Sequence, residues 1–322
     1  MTLADWLNES QDRIEEHGVK TGGIEAAKAF WTGMLCRVGE RWNYGTPVFE
    51  EDWDVLVVLD TCRPDVLEEV ADDYEYVPAE VPTTSSIASC SPEWMEKNFA
   101  PEYHDDLAET AYVTANPFSD GHDEEKFGLL DEVWRYAWDD EYKSIPPEPV
   151  TDRAIDVMRN HDPERLIVHY MQPHEPYRQL VEKYPHWFEA DEAEEDARGE
   201  RLRHCATDWS LWDKLRHGEI TREELWPMYR DTLRWVLDDG INTLLRNIDA
   251  DDVVLTADHA EAFGEWGIYA HPENIPVPVV KEVPWVRTSA TDTGEHEPKV
   301  EPESESLTDE EVSSRLEALG YK

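Results

Sequence analysis

The stretch Trp53-Asp54-Val55-Leu56-Val57-Val58-Leu59-Asp60-Thr61-Cys62-Arg63-Pro64-Asp65 decides how this sequence folds. Val55 to Leu59 is a run of β-branched and leucyl residues with no polar alternation. Such a run predicts a strand buried on both faces, as in a parallel sheet covered by helices. Asp60 follows at once, and the carboxyl ends of strands are where open α/β sheets bind ligands. The Asp60 carboxylate can ligate a cation, and Arg63 can hold an anion through two parallel hydrogen bonds. The same residues also suit a plain helix start, with Asp60 or Thr61 as N-cap ahead of Pro64.

Working outward, further short apolar runs at 111–114, 166–170 and 253–256 read as strands. The stretches 92–99, 151–160 and 221–248 between them read as helices. Strands separated by helices predict an α/β layered fold. Residues 1–50 read as peripheral helices: Leu3, Trp6, Leu7 and Ile14 have helical spacing, and a second helix covers 24–38. The catalytic body is expected over 51–290. An acidic stretch at 189–200 reads as a solvated insertion. Residues 291–322 read as an acidic tail, a disordered linker over 291–306 followed by a short helix at 307–319. That tail is expected to be dispensable for folding.

Composition narrows the classes. The 322 residues are 40 % hydrophobic and 11 % aromatic, enough for a core. The longest apolar run is five residues and mean hydropathy is −0.69, so no transmembrane segment is expected. Asp and Glu number 74 against 29 Lys and Arg, a net charge of −45, and only 10 of the basic residues are Lys. Such a chain as a whole repels nucleic-acid phosphates and anionic membranes. Acid excess spread along the whole chain fits a protein of multimolar salt, where the Debye length falls to about 3 Å or less. The four Cys (Cys36, Cys62, Cys90 and Cys205) form no metal clip and no disulfide pattern. With no secretory signal in view, a cytoplasmic, high-salt cytosol is the expected setting.

Three more segments carry ligand-type side chains. Thr256-Ala257-Asp258-His259-Ala260-Glu261 follows the run at 253–256, and an adjacent Asp-His pair can share one metal. His169 through Tyr177 places His169 and His174 on a strand end and a proline-bounded loop. Ser89-Cys90-Ser91-Pro92-Glu93-Trp94 reads as a helix start with Ser91 as N-cap, so hydroxyl and thiol groups lie in the field of a helix N-terminus.

Together these segments resemble the alkaline phosphatase/sulfatase superfamily, closest to haloarchaeal sulfatase-like proteins. Asp60 to Asp65 resembles its D-T-L-R-x-D element. His169 to Tyr177 resembles H-x-x-D-P-H-x-P-Y, with Gln172 in place of Asp. Thr256 to Gly264, with His271 and Val283-Pro284, resembles T-A-D-H-G-E…L-G-E…H…V-P, with Ala260 in place of Gly. The match spans about 53–287. It implies a three-layer α/β/α sandwich with a mixed central sheet, alkaline-phosphatase-like. It also implies Asp60, Asp258 and His259 as ligands of one divalent metal ion (Mn, Mg or Ca, with Zn compatible). His169, His174 and His271 would then contact an anionic ester or assist its leaving group. The sulfatase C-x-P-x-R has no Arg here, since Trp94 takes its place, and no two-metal D-x-x-x-H follows the run at 166–170. The pattern is nearer the lipoteichoic-acid-synthase type.

The function this implies is a metal-dependent hydrolase or transferase of phosphate or sulfate esters, glycan- or lipid-linked. The rivals are a formylglycine sulfatase built on Cys90 and an inactive member that binds a glycan or protein. For the nucleophile, Ser89 ranks ahead of Cys90, because a soft thiol suits hard cations poorly. Ser91 ranks third, being accounted for as the cap. The charge balance yields a direct test: the thermal midpoint is expected to rise from dilute buffer to molar KCl. A midpoint indifferent to salt contradicts it.

Overall fold

The computed structural model describes residues 26–187, 210–302 and 307–320. The helix expected near the N-terminus and the acidic insertion at 189–200 lie outside the described residues. Helix α1 covers 26–39. Then come β1 (Val55–Leu59), α2 (Pro64–Val70), β2 (Thr83–Ser85), α3 (Ser91–Asn98) and α4 (His104–Ala108). β3 (Thr110–Thr114), β4 (Leu129–Glu132), α5 (Pro147–His161), β5 (Arg165–Tyr170), α6 (Arg178–Lys183) and α7 (Leu211–His217) follow. A continuous rod of α8 (Arg222–Trp235), a π-helical turn (Val236–Ile241) and α9 (Asn242–Leu245) leads into β6 (Ala250–Thr256). The chain continues through β7 (Ala262–Phe263), β8 (Tyr269–Ala270), α10 (Pro278–Lys281), β9 (Glu282–Pro284) and β10 (Val286–Ala290). It reaches α11 (Asp309–Ala318) near its end.

The main sheet has the order β10-β6-β1-β5-β3-β4. Its pairings are parallel except that between β6 and β10, so the sheet is mixed. β1 lies centrally and every one of its residues is buried, as its unbroken apolar run requires. Val55, Val57 and Leu59 face a core shared with Val66 and Leu67 of α2, Ile155 of α5 and Leu233 of α8. Leu56 and Val58 face the opposite core, with Trp94, Met95 and Phe99. Two cores on two faces of one sheet make the three-layer α/β/α arrangement.

Some elements differ from the sequence expectation. The edge strands β4 and β10 and the β2–β9 pair carry too few apolar residues for periodicity to expose them. The helix expected over 221–248 has its start set by a capping box between Thr221 and Glu224. It widens into the π-turn at Gly240, where a Cβ would meet Pro147 and Tyr170 at 3.2 and 3.3 Å. Ser91 is not the cap of α3: Cys90 holds that position and Ser91 is the first helical residue.

The tail departs most. Composition marks 291–306 as disordered, yet its first ten residues are tied down by side chains that composition does not reveal. Thr291 and Thr293 donate backbone N–H groups to Leu245 and Arg246 carbonyls. Asp292 binds Arg159 through both carboxylate oxygens, at 2.7 and 2.8 Å. The buried Asp152 carboxylate accepts from His296 and from the backbone N–H groups of Lys299 and Val300. Leu319, just past α11, is fully buried, and Arg315 donates to the carbonyls of Trp134 and Arg135. Guanidinium groups here are shared: Arg153 binds Asp131 and Asp156, and Arg135 binds Glu132 and Asp120. A chain ending at Ala290 would strip Asp152 of its three tail donors, leave Arg159 with Asn247 alone and uncover the Leu319 pocket. It is expected to lose about 3 kcal/mol or more, read as a lower denaturant midpoint. An unchanged midpoint would restore the dispensable-tail reading.

Candidate active site

Register places the site. Val58 of β1 pairs with both His169 of β5 and Thr256 of β6, so the three strands end level with one another. Asp60 lies just past β1, His169 near the end of β5, and Asp258 and His259 just past β6. The backbone turns sharply at Thr61, a β-branched residue at φ 65°, a costly conformation for such a side chain. It is held by Tyr229, whose hydroxyl donates to Thr61 O at 2.7 Å and accepts from Arg63 N at 3.0 Å. The turn aims Thr61 N–H at Asp258 Oδ1, 3.3 Å away.

Asp60, Asp258 and His259 are fully buried and offer ligand atoms within 4.8 Å of one another. His259 Nε2 is 3.3 Å from Asp258 Oδ2 and 3.7 Å from Asp60 Oδ1. Asp60 Oδ1 and Asp258 Oδ2 are buried without a hydrogen-bond partner. His259 Nδ1 lies 3.2 Å from the Ala260 carbonyl, an acceptor, so Nδ1 carries the proton and Nε2 turns a lone pair toward the carboxylates. Two orphaned carboxylate oxygens and one imidazole lone pair are a donor set that fits a divalent cation. Electrostatics agree. Burial, and then Asp258, push the Asp60 carboxyl well above its usual range. Burial also opposes charge on Asp258, but His259 holds it below the usual carboxylate range. Against burial, Asp258 in turn carries His259 upward.

The three nucleophile candidates fall in different places. The Ser91 hydroxyl, fully buried at the first turn of α3, is 3.3 Å from both Asp60 Oδ2 and His259 Nε2. Ser89 is turned away from the cluster. Its hydroxyl binds Glu93 Oε2 at 3.0 Å, donates to Pro272 O at 2.9 Å and accepts from Ile275 N at 3.0 Å. Cys90 is the cap residue, and burial pushes its thiol up, away from thiolate. The helix starts one residue earlier than the cap reading expects, and Ser91 rather than Ser89 faces the carboxylates.

His174, Glu261 and His271 form a second buried cluster with ligand atoms within 4.8 Å. It abuts the first, the His259 and His271 rings being 4.5 Å apart. His174 Nδ1 lies 2.5 Å from the Glu175 carbonyl, so its Nε2 presents a lone pair. Burial, and then neighbouring imidazoles, hold His174 and His271 well below the usual range, hence neutral. Neutral imidazoles suit holding an ester or a cation, not delivering the leaving group's proton. His169 is buried and shifted down to about 4 by desolvation, with Nε2 3.8 and 3.7 Å from the Asp60 and Asp258 carboxylates. Arg63 is no free anion clamp. It forks onto Asp65, bonds Glu265 and the Glu261 carbonyl, and lies over the Trp226 ring. Its work is to fasten the turn after β1 to the strand-end loop after β6.

Sequence reading missed Asn116 and Tyr112. Asn116 follows β3 and donates to Asp60 Oδ2 at 2.9 Å; Tyr112 lies 2.9 Å from His169 Nδ1. A lone Asn after a short strand gives no motif, though its place at a strand end is a signal of the kind Asp60 gave. Glu261 was visible at the end of the Thr256–Glu261 segment but unassigned.

Glu175 next to the second cluster gives a pH test. It is buried, with Oε1 accepting from Trp212 Nε1 at 2.7 Å. Burial, and then Glu261, push its carboxyl up to about 8 from an ordinary 4.5. The unfolded chain therefore releases this proton first, and stability falls as pH rises through the window between those values. Glu175→Gln keeps an acceptor for Trp212 and removes the titration. Its thermal midpoint is expected to match wild type below about pH 4.5 and to exceed it above pH 8 by ~4 °C. A variant less stable than wild type at pH 8 contradicts the assignment.

No family profile matches the sequence, and no curated protein matches it. Among solved structures, the chain is similar to the soluble domain of lipooligosaccharide phosphoethanolamine transferase A from Neisseria meningitidis. Identity is 16 %, TM-score 0.46, covering 75 % of this chain and 77 % of that one. Against the integral membrane form of that protein, identity is 16 % and TM-score 0.47, over 91 % of this chain but only 60 % of the longer one. The periplasmic domain of phosphoethanolamine transferase EptC from Campylobacter jejuni gives 16 % and 0.43, over 73 % and 78 %.

Proposed function

We propose that this chain is a metal-dependent transferase or hydrolase of phosphate esters, glycan- or lipid-linked, with Ser91 as nucleophile. The observation that carries the reading is the Ser91 hydroxyl between Asp60 and His259, on the first residue of an eight-residue helix. In this reading Asp60, Asp258 and His259 hold a divalent cation, which supplies Lewis acidity and charge neutralisation for an anionic ester. The chain's own groups do the rest. Asn116 and the Thr61 N–H fix the two carboxylates. The N-terminus of α3 favours an oxyanion at Ser91 Oγ. As the Ser91 oxygen bonds phosphorus, the bond from phosphorus to the leaving oxygen breaks; the hydroxyl proton passes to Asp60 Oδ2 and departs with the leaving alcohol, and an acceptor alcohol or water then displaces Ser91 from phosphorus, its own proton returning to Ser91 Oγ. His174 and His271 line the far side of the ester.

Formylglycine chemistry at Cys90 is disfavoured by Trp94 in the Arg position of C-x-P-x-R and by the thiol's place as a cap. Two substitutions separate the candidates. Ser91→Ala is expected to lower turnover of an aryl phosphodiester by about 10³-fold or more while retaining metal by calorimetry. Ser89→Ala, which strips a buried acceptor from Ile275 N, is expected to cost about 1–3 kcal/mol of stability and keep turnover within about tenfold. If Ser89→Ala abolishes turnover in folded protein and Ser91→Ala does not, the assignment fails.

A further inference from the structure

A groove of about 460 Å³ lies outside the buried clusters, lined by Tyr44, Thr46, Thr83, Thr84, Ser85 and Glu282. That volume is within the roughly 300–1,000 Å³ of small-molecule sites. Register builds one wall. β2 pairs antiparallel with β9, Ser85 opposite Glu282 and Thr83 opposite Pro284. Opposed and alternate residues share a face of a sheet, so the Thr83, Ser85 and Glu282 side chains stand together. Residues 44–46 build the other wall. Thr46 N–H donates to Ser85 O at 3.0 Å, and Gly45, at φ 127°, comes so near that a Cβ would fall 2.1 Å from Ser86 O. Only glycine allows this approach.

The polar heads in the groove are free. Among the described residues, the side chains of Tyr44, Thr46, Thr83, Thr84, Ser85 and Glu282 make no hydrogen bond or ion pair, and none is sealed from solvent. Five hydroxyls and a carboxylate thus face one space. Burial, and then Glu282, push the Tyr44 hydroxyl up, so these two heads are neighbours. The Trp42 ring, 65 % exposed, lies 6.0 Å from that of Tyr44 and extends the aromatic wall.

The lining selects the occupant. Its one charge is the Glu282 carboxylate, and it has no cation. Lys281 is buried behind the Tyr44 ring, 4.9 Å from its centroid, with its ammonium on Asn43 Oδ1; Glu93 and Lys97, paired with one another, face it there. An anion would meet Glu282 with no cation to receive it. An acyl chain would find no aliphatic side chain. A cation would share the Tyr44 ring with the Lys281 ammonium, a like charge. A neutral polyol fits: each of its hydroxyls both donates and accepts, as the lining does, and its C–H face can lie on an aromatic ring.

The groove is joined to the site. β2 leads into Ser86, whose hydroxyl donates to the Asp258 carbonyl and accepts from Ala88 N. Ser91 is six residues past Ser85, at most about 21 Å of chain. We propose that this groove binds a neutral saccharide unit, its hydroxyls on Glu282, Thr83 and Ser85 and its C–H face on Tyr44, and so holds the glycan arm of a substrate near Ser91. The use as a substrate subsite rests on the phosphate-ester reading; the saccharide binding itself does not.

The test is saturation-transfer NMR with calorimetry on the full chain in molar KCl. Maltohexaose, cellohexaose, mannohexaose and chitohexaose are the probes. None carries an ester, so turnover is not read and a failed assignment of Ser91 leaves the result intact. At least one is expected to bind with a Kd of about 1 mM or tighter. Glu282→Gln, and separately Thr83→Val with Ser85→Val, are expected to weaken it about fivefold or more at an unchanged thermal midpoint. Tyr44→Leu is expected to weaken it about tenfold. Absence of binding by all four overturns the proposal, as does binding that every one of these substitutions leaves unchanged. Spermidine or inorganic phosphate held more tightly than every saccharide, and weakened by the same substitutions, assigns the groove to an ion and overturns it too.

Discussion

Asp60 and Asp258 face one another fully buried at the level ends of two parallel strands, each with one carboxylate oxygen that no protein group satisfies. Desolvating two carboxylates costs several kcal/mol each, and their mutual repulsion adds to it. The fold meets this partly from within. His259 stands against Asp258, Thr61 and Asn116 donate to the pair, and Asp60 is driven toward its neutral form. What the protein leaves unmatched is one oxygen of each carboxylate, Asp60 Oδ1 and Asp258 Oδ2. The left-handed Thr61, the Tyr229 hydroxyl wedged behind it and the Arg63 clamp all hold this confrontation in place.

The two serines at the start of α3 face different partners. Ser89 ties the start of α3 to Pro272 and Ile275, and Glu93 braces it from within the helix. Ser91, two residues on, is thereby presented to Asp60. One network therefore sets the distance of Ser91 to the carboxylates and the place of the His271 loop. α1 packs on the outer side of the same loop, so helix, loop and site form one stack.

The central strand was legible because Val55 to Leu59 has no alternative as a half-exposed element. Asp60, Asp258 and His259 were legible because short motifs sit at strand ends. The strands at the sheet's rim were not, since β4 and β10 are half polar and gain their place by pairing. The docked tail was not, because its ordering comes from Asp152, Arg159 and Leu319 acting one at a time over long sequence distances. Ser91 was read as the cap because the helix boundary was placed one residue late, and such boundaries shift easily in any sequence pattern. Arg63 was read correctly as a fork, but its ligands are the protein's own acids.

The sharing of guanidinium groups has a consequence for how such a chain tolerates change. With few cations among many acids, Arg63, Arg135 and Arg153 each serve two carboxylates from separate places in the fold. Each is a branch point of low redundancy. Replacing an acid at such a point removes one arm and leaves the other. Replacing the Arg leaves two like charges facing each other, and a Lys, a point charge without the fork, spans only one. Mutational sensitivity at these branch points is therefore lopsided: the loss of one acid is borne more easily there than the loss of the Arg it shares.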